Sequence, residues 1–106
     1  MKKVFKQTLM ASTIAVAAAG VNTASAETEL VIVSWGGAYT KSQQNAYHDP
    51  YMAANPGIKI VNDDSSAEGA AKIRAQAEAG NTTWDLVDLT PDAVIALCDE
   101  GLLEEI

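Results

Sequence analysis

Two short stretches of the chain carry residue types and spacings that could do chemistry. Ser34-Trp35-Gly36-Gly37-Ala38-Tyr39 sets two aromatic rings around a glycine pair. The glycines permit close backbone approach and offer free N–H groups. An aromatic face holds an apolar stem or, by a cation–π contact worth about 0.5 to 2 kcal/mol, an ammonium group. In the second stretch, Asp88-Leu89-Thr90-Pro91-Asp92, the carboxylates could neutralise a bound cation. Each stretch also has a plainer reading. Trp35 can pack on the following helix while the glycines only make the turn, and Thr90 and Asp92 can cap a helix.

Enzyme signatures are missing. Gly36-Gly37 lacks the spacing of a dinucleotide-binding glycine loop, and there is neither a phosphate-binding loop nor a nucleophile elbow. His48 stands beside Asp49 and Pro50 without a serine or cysteine at a matching strand end, which predicts a surface histidine. Cys98, the one cysteine, can form no internal disulfide, shares an apolar helix stripe and reads as a small buried hydrophobe. Asp63, Asp64 and Glu68 lack EF-hand spacing and read as a solvated helix start with Ser65 or Ser66 as cap. No Cys/His cluster has metal spacing, so no cofactor and no metal are expected.

The elements that must position these stretches alternate. Residues 30–33, Leu-Val-Ile-Val, form a continuous apolar run, as a strand buried on both faces of a parallel sheet requires. Residues 40–55 have mixed helical spacing, with Pro50 placed to kink or split them. A second strand is predicted over 58–61. An Ala-rich helix follows over 67–79, with Ala70, Ile73 and Ala77 on its inner stripe and Lys72, Arg74 and Glu78 outward, ending at Gly80-Asn81. Residues 84–89 read as a third strand. Thr90, Pro91 and Asp92 then open a helix that buries Val94, Ile95, Leu97 and Cys98 and stops at Gly101. The order β-α-β-α-β-α predicts an α/β fold, a three-layer parallel sheet with helices on both faces. In such sheets ligands bind where the strands end, which is where both chemical stretches fall.

Composition sets the surroundings. Lys2, Lys3 and Lys6, an apolar run over 9–20 and Ala24-Ser25-Ala26 make residues 1–26 a secretory signal. From Glu27 on, Lys41, Lys59, Lys72 and Arg74 face all 14 acidic residues. So acidic a body disfavours nucleic acid and anionic lipid. Residues 27–106 are few for a layered domain, and the ending Gly101-Leu102-Leu103-Glu104-Glu105-Ile106 reads as the start of a further element. The expectation is an incomplete domain and an exported, soluble product.

Signal, Leu30-Val31-Ile32-Val33-Ser34-Trp35-Gly36-Gly37-Ala38-Tyr39, Pro50, Asn55-Pro56-Gly57-Ile58-Lys59-Ile60-Val61, Lys72-Ile73-Arg74-Ala75-Gln76, Gly80-Asn81-Thr82-Thr83-Trp84-Asp85-Leu86-Val87-Asp88 and Gly101-Leu102-Leu103-Glu104 come in a telling order. Together they resemble the N-terminal part of periplasmic solute-binding proteins of ABC importers, with the spermidine/putrescine type, family 1, as the nearest group. The resemblance implies the first part of lobe one of a two-lobed periplasmic-binding-protein fold. It also implies binding without reaction, a small polyamine ligand, an ABC permease in the inner membrane as partner, a periplasmic location and a monomer when full length. Ligand contacts are implied at Trp35, Tyr39, Thr90 and Asp92, and the residues' own chemistry adds the Gly36-Gly37 backbone, whose free N–H groups would suit a carboxylate as well as an amine. Gly36-Gly37-Ala38 departs from the Thr-Glu type of segment of polyamine binders, and Asp92 falls near an expected aromatic. An amino-acid-like or other carboxylate solute therefore stays open. So do a truncated, non-functional product and an α/β enzyme with its machinery elsewhere.

Overall fold

The computed structural model describes residues 26–106. The expected signal therefore lies, all but its last residue, outside the described residues. Three parallel strands, β1 (Thr28–Val33), β2 (Ile58–Asp63) and β3 (Leu86–Val87), form a sheet in the order β2-β1-β3. The first two strands are the predicted apolar runs extended at their ends. Leu30 pairs with Ile60, and Ile32 lies between Asn62 and Leu86. β3 is shorter than predicted. Beyond its two residues the pairing is finished by Asp85 and Asp88, whose amides donate to the Val31 and Val33 carbonyls. The Asp85 carboxylate itself accepts the Val31 amide at 2.8 Å, a side chain standing where a strand carbonyl would be.

The first helical segment is α1 (Gly37–Gln43), a π-helical turn (Gln44–His48) and α2 (Asp49–Ala54). Pro50 explains the break, because a residue without an N–H cannot complete the α-helical ladder, and a wider turn ahead of it absorbs the mismatch. A 3-10 turn (Ser66–Glu68) leads into α3 (Gly69–Glu78), and Thr90 precedes α4 (Pro91–Asp99). Gly101 and Leu102 close α4 with amides donated to the Cys98 and Leu97 carbonyls.

Alternate strand positions face opposite layers. Leu30, Ile32, Ile60 and Leu86 line an apolar trough of about 610 Å³ together with Ala46, Tyr47 and Tyr51 of the first helical segment. Val87 faces the other way, where the start of α3 packs so tightly that a Cβ on Gly69 would meet the Leu89 Cδ2 at 2.7 Å. Helices thus cover both faces, as right-handed crossovers demand when the chain steps first to one side of β1 and then to the other. The buried apolar core is small: Ile32, Val33, Ile60 and Leu97.

Three predicted placements are corrected. His48 is not on the surface. It is 5% exposed, because the π-helical turn shifts the phase of the helix and carries it inward. Cys98 is exposed rather than buried, and Val94 and Ile95 are exposed too, so α4 seals the core through Leu97 alone. On α3 the inner stripe is half-buried at Ala70 and Ile73 but exposed at Ala77. Among the described residues no helix is long and apolar enough to cross a membrane.

Candidate functional site

The order β2-β1-β3 reverses direction at β1, so the loops leaving β1 and β3 diverge and open a crevice at the carboxyl end of the sheet. Both chemical stretches leave strands at this end, where the first buried side chain is polar. Ser34, fully buried at the end of β1, sets its hydroxyl 2.6 Å from the Gln43 Oε1 and 3.0 Å from the Asp88 Oδ2. The Gln43 Nε2 donates to the same Asp88 oxygen at 2.7 Å. Strand β1, helix α1 and the end of β3 are thereby locked together by three side chains, with the single serine proton shared between two acceptors.

The β1 loop is pinned from its other side. Gly36 adopts φ +85° and ψ 178°, a conformation that glycine alone adopts readily. Its amide donates to the Thr40 hydroxyl oxygen at 2.9 Å, and the Thr40 hydroxyl donates to the Asp64 Oδ1 at 2.8 Å. The backbone repeats the tie: Ser34 donates to the Asp63 carbonyl, and Ser66 donates to the Ser34 carbonyl. With its backbone held in this way, the loop still leaves two aromatic rings open, Trp35 at 42% and Tyr39 at 51% exposure.

Charge at this end is negative and mostly hydrogen-bonded. The Ser65 hydroxyl is the main reason that the Asp63 carboxyl is held below the ordinary aspartate range. The Ser65 amide, Lys72 and Trp84 add to this, and partial burial opposes it. The Thr90 hydroxyl holds the Asp92 carboxyl down, helped by the amides of Asp92 and Ala93. Ser65 and Thr90 occupy the N-cap positions of the 3-10 turn and of α4, and neither makes a side-chain cap bond. Among the described residues no group of three or more His, Cys, Asp or Glu side chains is placed to hold a metal ion.

Trp35 and Gly36 lie on the loop after β1 and Gly37 and Tyr39 on the first turn of α1, while Thr90 precedes α4 and Asp92 lies in its first turn. The picture of free N–H groups on the glycine loop needs correction at Gly36, whose amide is taken by Thr40. Thr40, Gln43 and Asp64 escaped sequence reasoning. For Thr40 a signal existed, since a hydroxyl four residues past a glycine in a helix start sits where it can accept that glycine's amide. Asp64 offered none.

Residues 46–106, more than half of the chain, match the family described as bacterial extracellular solute-binding protein. A gamma-aminobutyric acid-binding protein of Pseudomonas aeruginosa is 32% identical over 77 residues, which cover 73% of this chain and 21% of that relative. The chain spans about a fifth of the length of the curated relative it matches.

Proposed function

Since this chain belongs to the bacterial extracellular solute-binding proteins, we propose that it forms the first part of lobe one of a periplasmic binding protein that captures a small amine-bearing solute and delivers it to an ABC permease. Binding is the function, and no reaction follows. Trp35, Gly36, Gly37 and Tyr39 form one wall of the site, with Thr90 and Asp92 on the opposite wall. The lobe acts as a monomer whose cleft is completed by the second lobe.

The observation that carries this function is a pair of exposed aromatic rings, Trp35 on the loop after β1 and Tyr39 on the first turn of α1, beside a Gly36 backbone held by Thr40. An ammonium group or an apolar stem is what their faces attract. Membership of the family supports a solute as the partner, and the name of the Pseudomonas relative supports an ω-amino acid as one form of it. A polyamine such as putrescine or spermidine carries the same ammonium end, and the acidic character of the chain, with 14 acidic residues, favours it.

Tryptophan fluorescence tests the assignment, because of the two tryptophans Trp35 follows β1, whereas Trp84 precedes β3 with its ring under the Lys72 ammonium. Putrescine, spermidine or 4-aminobutyrate is expected to quench or shift the emission of the full-length protein. The response should vanish in Trp35→Phe and persist in Trp84→Phe. Silence toward all three amines, or a response unchanged by Trp35→Phe, would contradict the site.

A further inference from the structure

The β1 loop has beside it a carboxylate that its own sequence does not supply. Asp64, the residue after β2, lies against Gly36: a Cβ built on that glycine would stand 3.3 Å from the Asp64 Cβ and 3.4 Å from its Cγ and Oδ2. The buried Thr40 hydroxyl fixes this arrangement by bridging the Gly36 amide and the Asp64 Oδ1. Asp64 is itself exposed. Of the neighbouring carboxylates, Asp63 takes the Ser65 amide, Asp88 takes Gln43 and Ser34, and Asp92 takes Thr90; on Asp64 the Thr40 hydroxyl engages Oδ1, and Oδ2 takes no hydrogen bond among the described residues. Two residues past Asp64, the Ser66 hydroxyl is buried with no protein partner, a polar atom in the same pair of loops that a ligand or its water would satisfy.

Electrostatics then decide which end of a solute this loop accepts. The Gly36 amide is taken by Thr40, Arg74 is paired with Glu100, and Lys72, the cation that acts on Asp63, stands 5.6 Å over the Trp84 ring. A carboxylate arriving at the loop would face the Asp64 charge with no free amide at Gly36 to receive it. An ammonium group would meet a carboxylate held against Gly36, with the exposed rings of Trp35 and Tyr39 near that glycine in sequence. We propose that Asp64 is the counter-ion of the solute's ammonium group, so that the solute docks amine-first on the β1 and β2 loops, with any carboxylate it carries turned away from Gly36. This assignment rests on the amine-binding function above and makes it specific.

Calorimetric titration of the full-length protein with putrescine, 4-aminobutyrate and butyrate tests it. Asp64→Asn keeps an oxygen for the Thr40 hydroxyl and removes the charge. It is expected to weaken both amines by about 10- to 100-fold, the range for a hydrogen bond to a charged group. Asp64→Glu, which keeps the charge, should recover part of that loss. Asp63→Asn, whose carboxyl is engaged by Ser65, should leave amine affinity within about threefold. An Asp64→Asn protein that binds both amines as the parent does overturns the counter-ion while leaving the amine function standing. The same holds if Asp64→Glu is as weak as Asp64→Asn, which would assign the loss to loop geometry. A parent protein that binds neither amine overturns both.

Discussion

Gly36→Ala is expected to cost the protein about 1 to 3 kcal/mol of stability and to weaken amine binding by about tenfold or more. The backbone at φ +85° and ψ 178° lies in a region that essentially only glycine occupies. The new Cβ would also press on Asp64 at 3.3 Å, so Asp64 must retreat by a few tenths of an ångström. Relaxing either strain turns the Gly36 amide away from Thr40 and releases the tie between the β1 and β2 loops. One substitution therefore reaches both folding and the site. Urea unfolding and a titration with putrescine measure the two effects. Gly57→Ala is the comparison, because Gly57 has open space around it and no positive φ. It is expected to change neither property.

Leu97→Ala is expected to remove about 2 to 5 kcal/mol. Leu97 is fully buried and is the one side chain by which α4 enters the core. With so few buried apolar residues, the neighbours have little with which to refill the cavity. A loss of this size is a large part of the 5 to 15 kcal/mol that holds a typical domain together. Ile95, two residues earlier on the same helix, is 64% exposed. Ile95→Ala should stay within about 0.5 kcal/mol. Equal losses for the two substitutions would mean that α4 packs through a different face.

The contrast between Leu97 and its neighbours shows what could be read from sequence. Periodicity places Val94, Ile95, Leu97 and Cys98 on one apolar stripe, but a stripe becomes core only where another layer lies against it, and the described residues cover Leu97 alone. The strands were legible for a different reason. Residues 30–33 are apolar without interruption and residues 58–61 are β-branched at every position but Lys59, a composition that favours strand over helix. β3 was overextended because Trp84 and Leu89 look like strand residues, whereas only the contacts with β1 decide how many of them join the ladder. His48 was misplaced by the π-helical turn, since a rule built on 3.6 residues per turn loses its phase across a wider one.

At the site, the two loops announced themselves through glycines, aromatics and a capping pattern, all of them local signals. The ties that fix the loops did not. Gln43 and Asp88 are 45 residues apart, and Thr40 and Asp64 are 24 apart. Their partnership is created by the parallel sheet that lays β2 and β3 on either side of β1. Gly36 shows the consequence: its residue type was read correctly as a loop device, but its amide was assigned to a ligand when an intramolecular hydroxyl already holds it.

The most direct test of amine capture at the carboxyl end of the sheet is to map backbone amide shifts in the full-length protein as 4-aminobutyrate is added. The largest changes in lobe one are expected at Ser34 to Tyr39, Asp64 to Ser66 and Asp88 to Asp92, the three segments that leave β1, β2 and β3. Changes centred instead on Leu30, Tyr51 and Ile60, which line the apolar trough on the sheet's flank, would contradict the account. So would an unperturbed spectrum with 4-aminobutyrate and again with putrescine.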